Sequence, residues 1–153
     1  MGKLLDERLV FMDADVSTAE EAIRLMGKRL EDCGYVRKGY ADMVLARERE
    51  FPTGLPGKKV CIAIPHTDSS LVNRAAIGVI VPRHTVPFDL MGEPGTRLDV
   101  GLILPLVIKD SGQQIELLKE MMGIIQDADR LERICASQNA REILELLQPL
   151  EEA

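Results

Sequence analysis

Val60-Cys61-Ile62-Ala63-Ile64-Pro65-His66-Thr67-Asp68 is the stretch on which the reading of this chain turns. It begins apolar at every position, without alternation, and stops abruptly at a proline, a histidine and two small polar residues. An unbroken apolar run bounded in this way reads as a strand buried on both faces. Such a strand has helices packed over it, and its carboxyl end opens onto the crevice where sheets of this kind bind ligands. His66 is therefore expected at the rim of a rigid sheet. The other histidine, His84, lies in Pro82-Arg83-His84-Thr85-Val86-Pro87, a turn-like segment expected to face solvent.

On the amino-terminal side, Ser17-Thr18-Ala19-Glu20 reads as a capping box. Ala22, Ile23, Met26, Leu30 and Cys33 follow at helical spacing, and Gly34 is a suitable stop. A second helix is predicted from about Lys38 to Arg49, with Tyr40, Met43 and Val44 on its inner stripe. Arg47 continues that stripe, so it is expected to point to the core or to a cleft edge; Arg49 falls off it. Phe51 to Gly57 is dense in turn formers and reads as a loop.

Beyond His66, Ala75 to Val81 is a second apolar run. Val86 to Leu90 reads as an edge strand, because Pro87 cannot serve a central one. Asp99 to Ile108 is a third buried run, where Pro105 predicts a bulge or an early end. Ser111-Gly112-Gln113-Gln114 then opens a helix in which Gln114 lies in line with Leu118, Met121 and Ile125, facing inward on the first turn. Ser111 with Gln114 has the form of another capping box. Two shorter helices finish the chain, the last from Asn139. Two helices, several strands and then helices predict an α/β fold with a mixed β-sheet sandwiched between α-helices, with residues 1–153 as one domain.

Composition narrows the function. The net charge is −6 and tryptophan is absent, which argues against nucleic-acid binding. No apolar stretch is long enough to cross a membrane, and acidic residues come too early for a secretory signal. Cys33, Cys61 and Cys135 are odd in number and widely spaced, so a reducing cytoplasm is the expected setting.

A neutral imidazole can accept a phosphoryl group and pass it on. It needs donors around the phosphoryl oxygens. Arg47 offers a guanidinium fork, Gln114 an amide and the N–H groups of its helix start, and Thr67 a hydroxyl. Each has a plainer reading: Arg47 as a helix end with its head in water, Gln114 as a capping residue, Asp68 as a cap or loop residue, and Cys61 as core.

Taken together, Leu45-Ala46-Arg47-Glu48, Pro52-Thr53-Gly54-Leu55, Ile64-Pro65-His66-Thr67, Ile108-Lys109-Asp110 and Gln114-Ile115-Glu116-Leu117-Leu118 resemble enzyme IIA of the bacterial sugar phosphotransferase system, fructose/mannitol superfamily. The resemblance implies a cytoplasmic, free-standing phosphocarrier with no cofactor or metal. His66 would take a phosphoryl group from the phosphocarrier HPr and give it to a cysteine of enzyme IIB, for a sugar entering through the membrane component IIC. Arg47 would neutralise phosphate charge. The resemblance also implies that the ring nitrogen remote from the backbone reacts, with the other held by a hydrogen bond. Mannitol and fructose members carry a second histidine where this chain has Gln114, and a glycine where it has Thr67. These departures are similar to the galactitol-type branch. The alternatives are a regulatory IIA-like protein whose histidine phosphorylation controls partner binding, a hydrolase or metal enzyme using His66 and Asp68, and a non-catalytic binding module.

Overall fold

The computed structural model describes residues 4–151, with Ser111 described in its backbone only; Met1 to Lys3 and the last two residues lie outside. The elements run β1 (Leu5–Ala14), α1 (Ala19–Asp32), α2 (Tyr40–Glu50), β2 (Gly54–Leu55), β3 (Cys61–Ala63), β4 (Ala76–Pro82), β5 (Val86–Leu90), β6 (Glu93–Ile103), β7 (Leu106–Val107), α3 (Ser111–Ile125), α4 (Ala128–Ala136), α5 (Ala140–Leu146) and α6 (Gln148–Glu151).

The strands form one mixed sheet in the order β1-β4-β6-β3-β2-β5, with β5 also pairing β6 and β7 pairing β4. Alternate residues of the central strands feed two apolar layers. Ala63, Ile80, Val100 and Ile103 pack with Ile23, Met26, Leu30 and Val44 of α1 and α2. Ile62, Ile64, Val79, Leu102 and Leu104 pack with Leu117, Met121, Leu131, Ile134 and Ile143 of α3, α4 and α5. The expected sandwich is the architecture found, and apolar burial on both faces holds it together. Gly78 lets α1 come down on β4: a Cβ there would lie 2.6 Å from Met26 Cε.

Four local readings need correction. The first element is a strand, β1, on the sheet edge beside β4. Between Leu5 and Val10 its register advances only from Ile77 to Val79, so bulges erase the alternation that betrays a strand. The N-cap of α1 is Thr18, whose hydroxyl accepts from Glu21 N–H, while Glu21 accepts from Ser17 N–H; the capping box sits one residue later than Ser17–Glu20 suggested. The N-cap of α3 is Asp110 rather than Ser111, its carboxylate accepting from Gln113 N–H at 2.8 Å. Among the described residues three helices, not two, follow α3.

The proline readings were sound. Pro105 separates β6 from β7, while its carbonyl accepts from Gly78 N–H at 2.9 Å, so β4 stays paired across the break. β5 pairs β6 along its length and otherwise meets β2 only at Leu90, which leaves the missing N–H of Pro87 harmless.

The loop expected over Phe51 to Gly57 contains β2, which closes β5 against β3. Gly54 makes that closure possible, since a Cβ there would sit 2.6 Å from the backbone oxygen of Asp89. Gly54→Ala is expected to destabilise the protein by about 1–3 kcal/mol, because backbone rather than a flexible side chain must yield. Gly123→Ala, in open space within α3, is expected to stabilise by up to about 1 kcal/mol. Urea unfolding of the two variants checks both signs.

Candidate functional site

The carboxyl end of β3 continues as Ile64-Pro65-His66. It stays stitched to the sheet: Ala63 O accepts from Leu104 N–H at 2.8 Å and Pro65 O from Leu106 N–H at 3.0 Å. At His66 the chain turns off the edge with its ring partly buried. His66 Nδ1 lies 2.7 Å from the carbonyl oxygen of Ile64. A carbonyl can only accept, so Nδ1 carries the proton and the free lone pair is on Nε2. Burial, foremost, and then the positive charge of Arg47 hold the imidazole pKa below its ordinary 6.5, against the opposing effect of the Ile64 bond. The ring is neutral at pH 7 and presents a nucleophilic nitrogen away from the backbone.

Arg47 occupies the last turn of α2 and is exposed, so it lies at an edge and not in the core. Its guanidinium carbon sits 5.2 Å from the centroid of the Phe51 ring, a face that holds a planar cation without neutralising it. Its charge is felt by Asp68 as well as His66. No helix follows for Asp68 to cap. Its carboxylate instead accepts from Ser70 N–H at 2.9 Å and Ser70 Oγ at 2.6 Å, closing a turn behind the histidine. These two bonds, chiefly, lower the Asp68 pKa. α2 rests on this turn: Met43 Sδ is 3.7 Å from Ser70 Oγ, and the Tyr40 hydroxyl donates to Leu106 O at 3.3 Å.

Thr67 is buried, at 7% exposed, and its hydroxyl makes no hydrogen bond among the described residues. Gln114 is half-buried on the stripe that leads to Leu117, Met121 and Ile125. β3 and β6 run parallel, so the histidine segment and the chain leading to α3 leave the sheet at the same edge. There the gathering stops: no hydrogen bond joins Gln114 to His66 among the described residues. The helix start also offers less than expected, because Asp110 takes Gln113 N–H with its side chain and Gln114 N–H with its carbonyl at 3.3 Å. His84 is exposed, as expected for a turn.

Two residues that the sequence reading left without a role stand behind His66. Glu48, next to Arg47 on α2, accepts from Thr53 N–H and from the Thr53 hydroxyl, both at 2.8 Å. Burial lifts the Glu48 carboxyl to about 7, although both Thr53 bonds oppose the rise. Thr53 is only 3% exposed, and its carbonyl accepts from Ile64 N–H at 3.3 Å. The signal for this pair was present in Arg47-Glu48 followed by Pro52-Thr53. Nothing in the spacing showed that the carboxylate turns back onto the loop.

At the carboxyl end of β3, then, a histidine with one ring nitrogen bonded to a carbonyl and the other free lies within electrostatic reach of an arginine that makes no ion pair among the described residues. The chain belongs to the family of the phosphoenolpyruvate-dependent sugar phosphotransferase system, EIIA 2, which its residues 3–149 match. A IIA component is a phosphotransferase that passes a phosphoryl group on to the IIB component of its system. The galactitol-specific EIIA component of Escherichia coli strain K12 is 29% identical over 114 residues, 74% of this chain and 75% of that protein. The mannitol-specific phosphotransferase enzyme IIA component of Staphylococcus aureus strain N315 is 26% identical over 149 residues, 97% of both chains. Among solved structures, Escherichia coli mannitol enzyme IIA, in complex with phosphorylated mannitol enzyme IIB, superposes with a TM-score of 0.76. It is 24% identical, and the match covers 95% of this chain and 99% of that one. No helix among the described residues is long and apolar enough to cross a membrane.

Proposed function

We propose that His66 is the phosphoryl acceptor of a cytoplasmic IIA component serving a sugar or polyol of the galactitol class. The observation that carries this reading is the Nδ1–H bond to Ile64 O, which leaves the Nε2 lone pair facing away from the backbone. Phospho-HPr is the donor: the Nε2–phosphorus bond forms as the bond to the donor nitrogen breaks. Because Nε2 bears no proton beforehand, no base is needed, and the Nδ1–H bond persists through the transfer. In the second step a IIB cysteine thiolate attacks phosphorus and the Nε2–phosphorus bond breaks, with IIC receiving the product only through IIB. Arg47 neutralises charge on the phosphoryl oxygens in both steps, which require alignment and charge stabilisation and little else. The Thr67 hydroxyl and the Gln114 amide are further donors at the same edge.

The choice of galactitol over mannitol rests on Gln114 and Thr67, and on likeness to the galactitol-specific protein. The phosphorylated protein, offered galactitol-type and mannitol-type IIB proteins in parallel, is expected to label the galactitol-type cysteine faster. Preferential transfer to the mannitol-type partner would reverse the sugar assignment and leave the chemistry standing.

A further inference from the structure

His66 and Arg47 come from different elements, and something must hold them in register. A continuous set of contacts does so. The Glu48 carboxylate grips both the N–H and the hydroxyl of Thr53, the Thr53 carbonyl takes the N–H of Ile64, and the Ile64 carbonyl takes the proton of His66 Nδ1. Glu48 is the immediate neighbour of Arg47, so the same carboxylate ties the last turn of α2 to the strand that bears the histidine. We propose that Glu48 is a positioning residue: through Thr53 and the backbone of Ile64 it keeps the His66 proton on Nδ1 and fixes the last turn of α2, with Arg47, to the strand that leads to the ring. This rests on the reading of His66 as the phosphoryl acceptor.

The grip depends on hydrogen-bond geometry and not on negative charge. A neutral carboxyl keeps both contacts, its carbonyl oxygen accepting from Thr53 N–H and its hydroxyl donating to Thr53 Oγ1. A glutamine side chain offers the same acceptor and donor. That equivalence separates the proposal from a role for Glu48 as a charge, and Thr53→Val, which keeps the volume but loses the hydroxyl, separates it from mere filler beneath the loop.

The test uses the full chain in the forms Glu48→Ala, Glu48→Gln and Thr53→Val, with two readouts. The first is a nitrogen-resolved magnetic resonance spectrum of His66 in the unphosphorylated protein, which reports the tautomer without any phosphoryl transfer. The second is the rate of phosphorylation by phospho-HPr, separated into kcat and KM. Glu48→Ala and Thr53→Val are expected to shift His66 from the Nδ1–H form to a mixture of tautomers. They should lower kcat at least about tenfold with KM within about twofold, because the reacting groups lose alignment and not docking. Glu48→Gln is expected to restore both readouts nearly to wild type.

An unchanged tautomer in Glu48→Ala, or a Glu48→Gln protein as impaired as Glu48→Ala, overturns the proposal. Should Glu48→Ala fail to fold, Thr53→Val carries the same test from the other side of the contact. If wild-type His66 takes no phosphate while its tautomer still responds to Glu48, the acceptor reading fails and the positioning role stands.

Discussion

His66→Ala protein, incubated with phosphoenolpyruvate, enzyme I and HPr, is expected to take up no acid-labile phosphate, a loss of at least about 10⁴-fold. His84→Ala should label like wild type, because its imidazole stands exposed between β4 and β5. The contrast follows from environment. His66 is held neutral by burial and by the nearby guanidinium, and its Nδ1 is committed to a carbonyl, so a single nitrogen remains to react. The pH dependence carries a sign that can be checked. The reactive form is the neutral ring, and its pKa lies below 6.5, so labelling should fall on acidification with a midpoint below 6.5. Labelling that persists in His66→Ala would remove the acceptor assignment. A midpoint above 6.5 would show that burial and Arg47 do not act on the ring as described.

Arg47→Met should slow both phosphoryl uptake and its release to IIB by about 10²–10³-fold, the usual cost of deleting one preorganised group that stabilises developing charge. Methionine preserves much of the apolar stem beside Phe51 and removes the cation. Arg47→Lys should recover only part of the rate, since an ammonium lacks the planar fork that meets two phosphoryl oxygens at once. Arg47→Met is also expected to raise the His66 pKa, because the Arg47 charge is one of the two influences that lower it. A magnetic resonance titration of His66 in Arg47→Met reads this shift without any partner protein. A rate within twofold of wild type would place the phosphoryl group out of reach of Arg47.

The sandwich could be read from the chain because its central strands are apolar without interruption, and only burial on both faces tolerates that. Val60 to Ile64, Ala75 to Val81 and Asp99 to Ile108 were all legible on this ground, while α1 announced itself by a cap and by period and α2 by period alone. β1 was not, since Asp6, Glu7 and Arg8 break its apolar pattern and its bulges break the alternation. The exposed first half of β6 was missed for a related reason: Glu93 to Arg97 is a hairpin arm in solvent and carries no apolar signal.

The same division runs through the site. A histidine after a buried strand, an arginine ending a helical stripe and a proline-threonine loop between them are properties of one-dimensional order, and they were enough to select the candidate residues and the family resembled. Which imidazole nitrogen bears the proton, that Arg47 lies over Phe51 with no ion pair among the described residues, and that Glu48 folds back onto Thr53 were decided only by tertiary structure. Each is a contact between near neighbours in sequence, but whether it forms is set by how the sheet and α2 fix the backbone on either side, and a hydrogen bond forms or fails over a few tenths of an ångström.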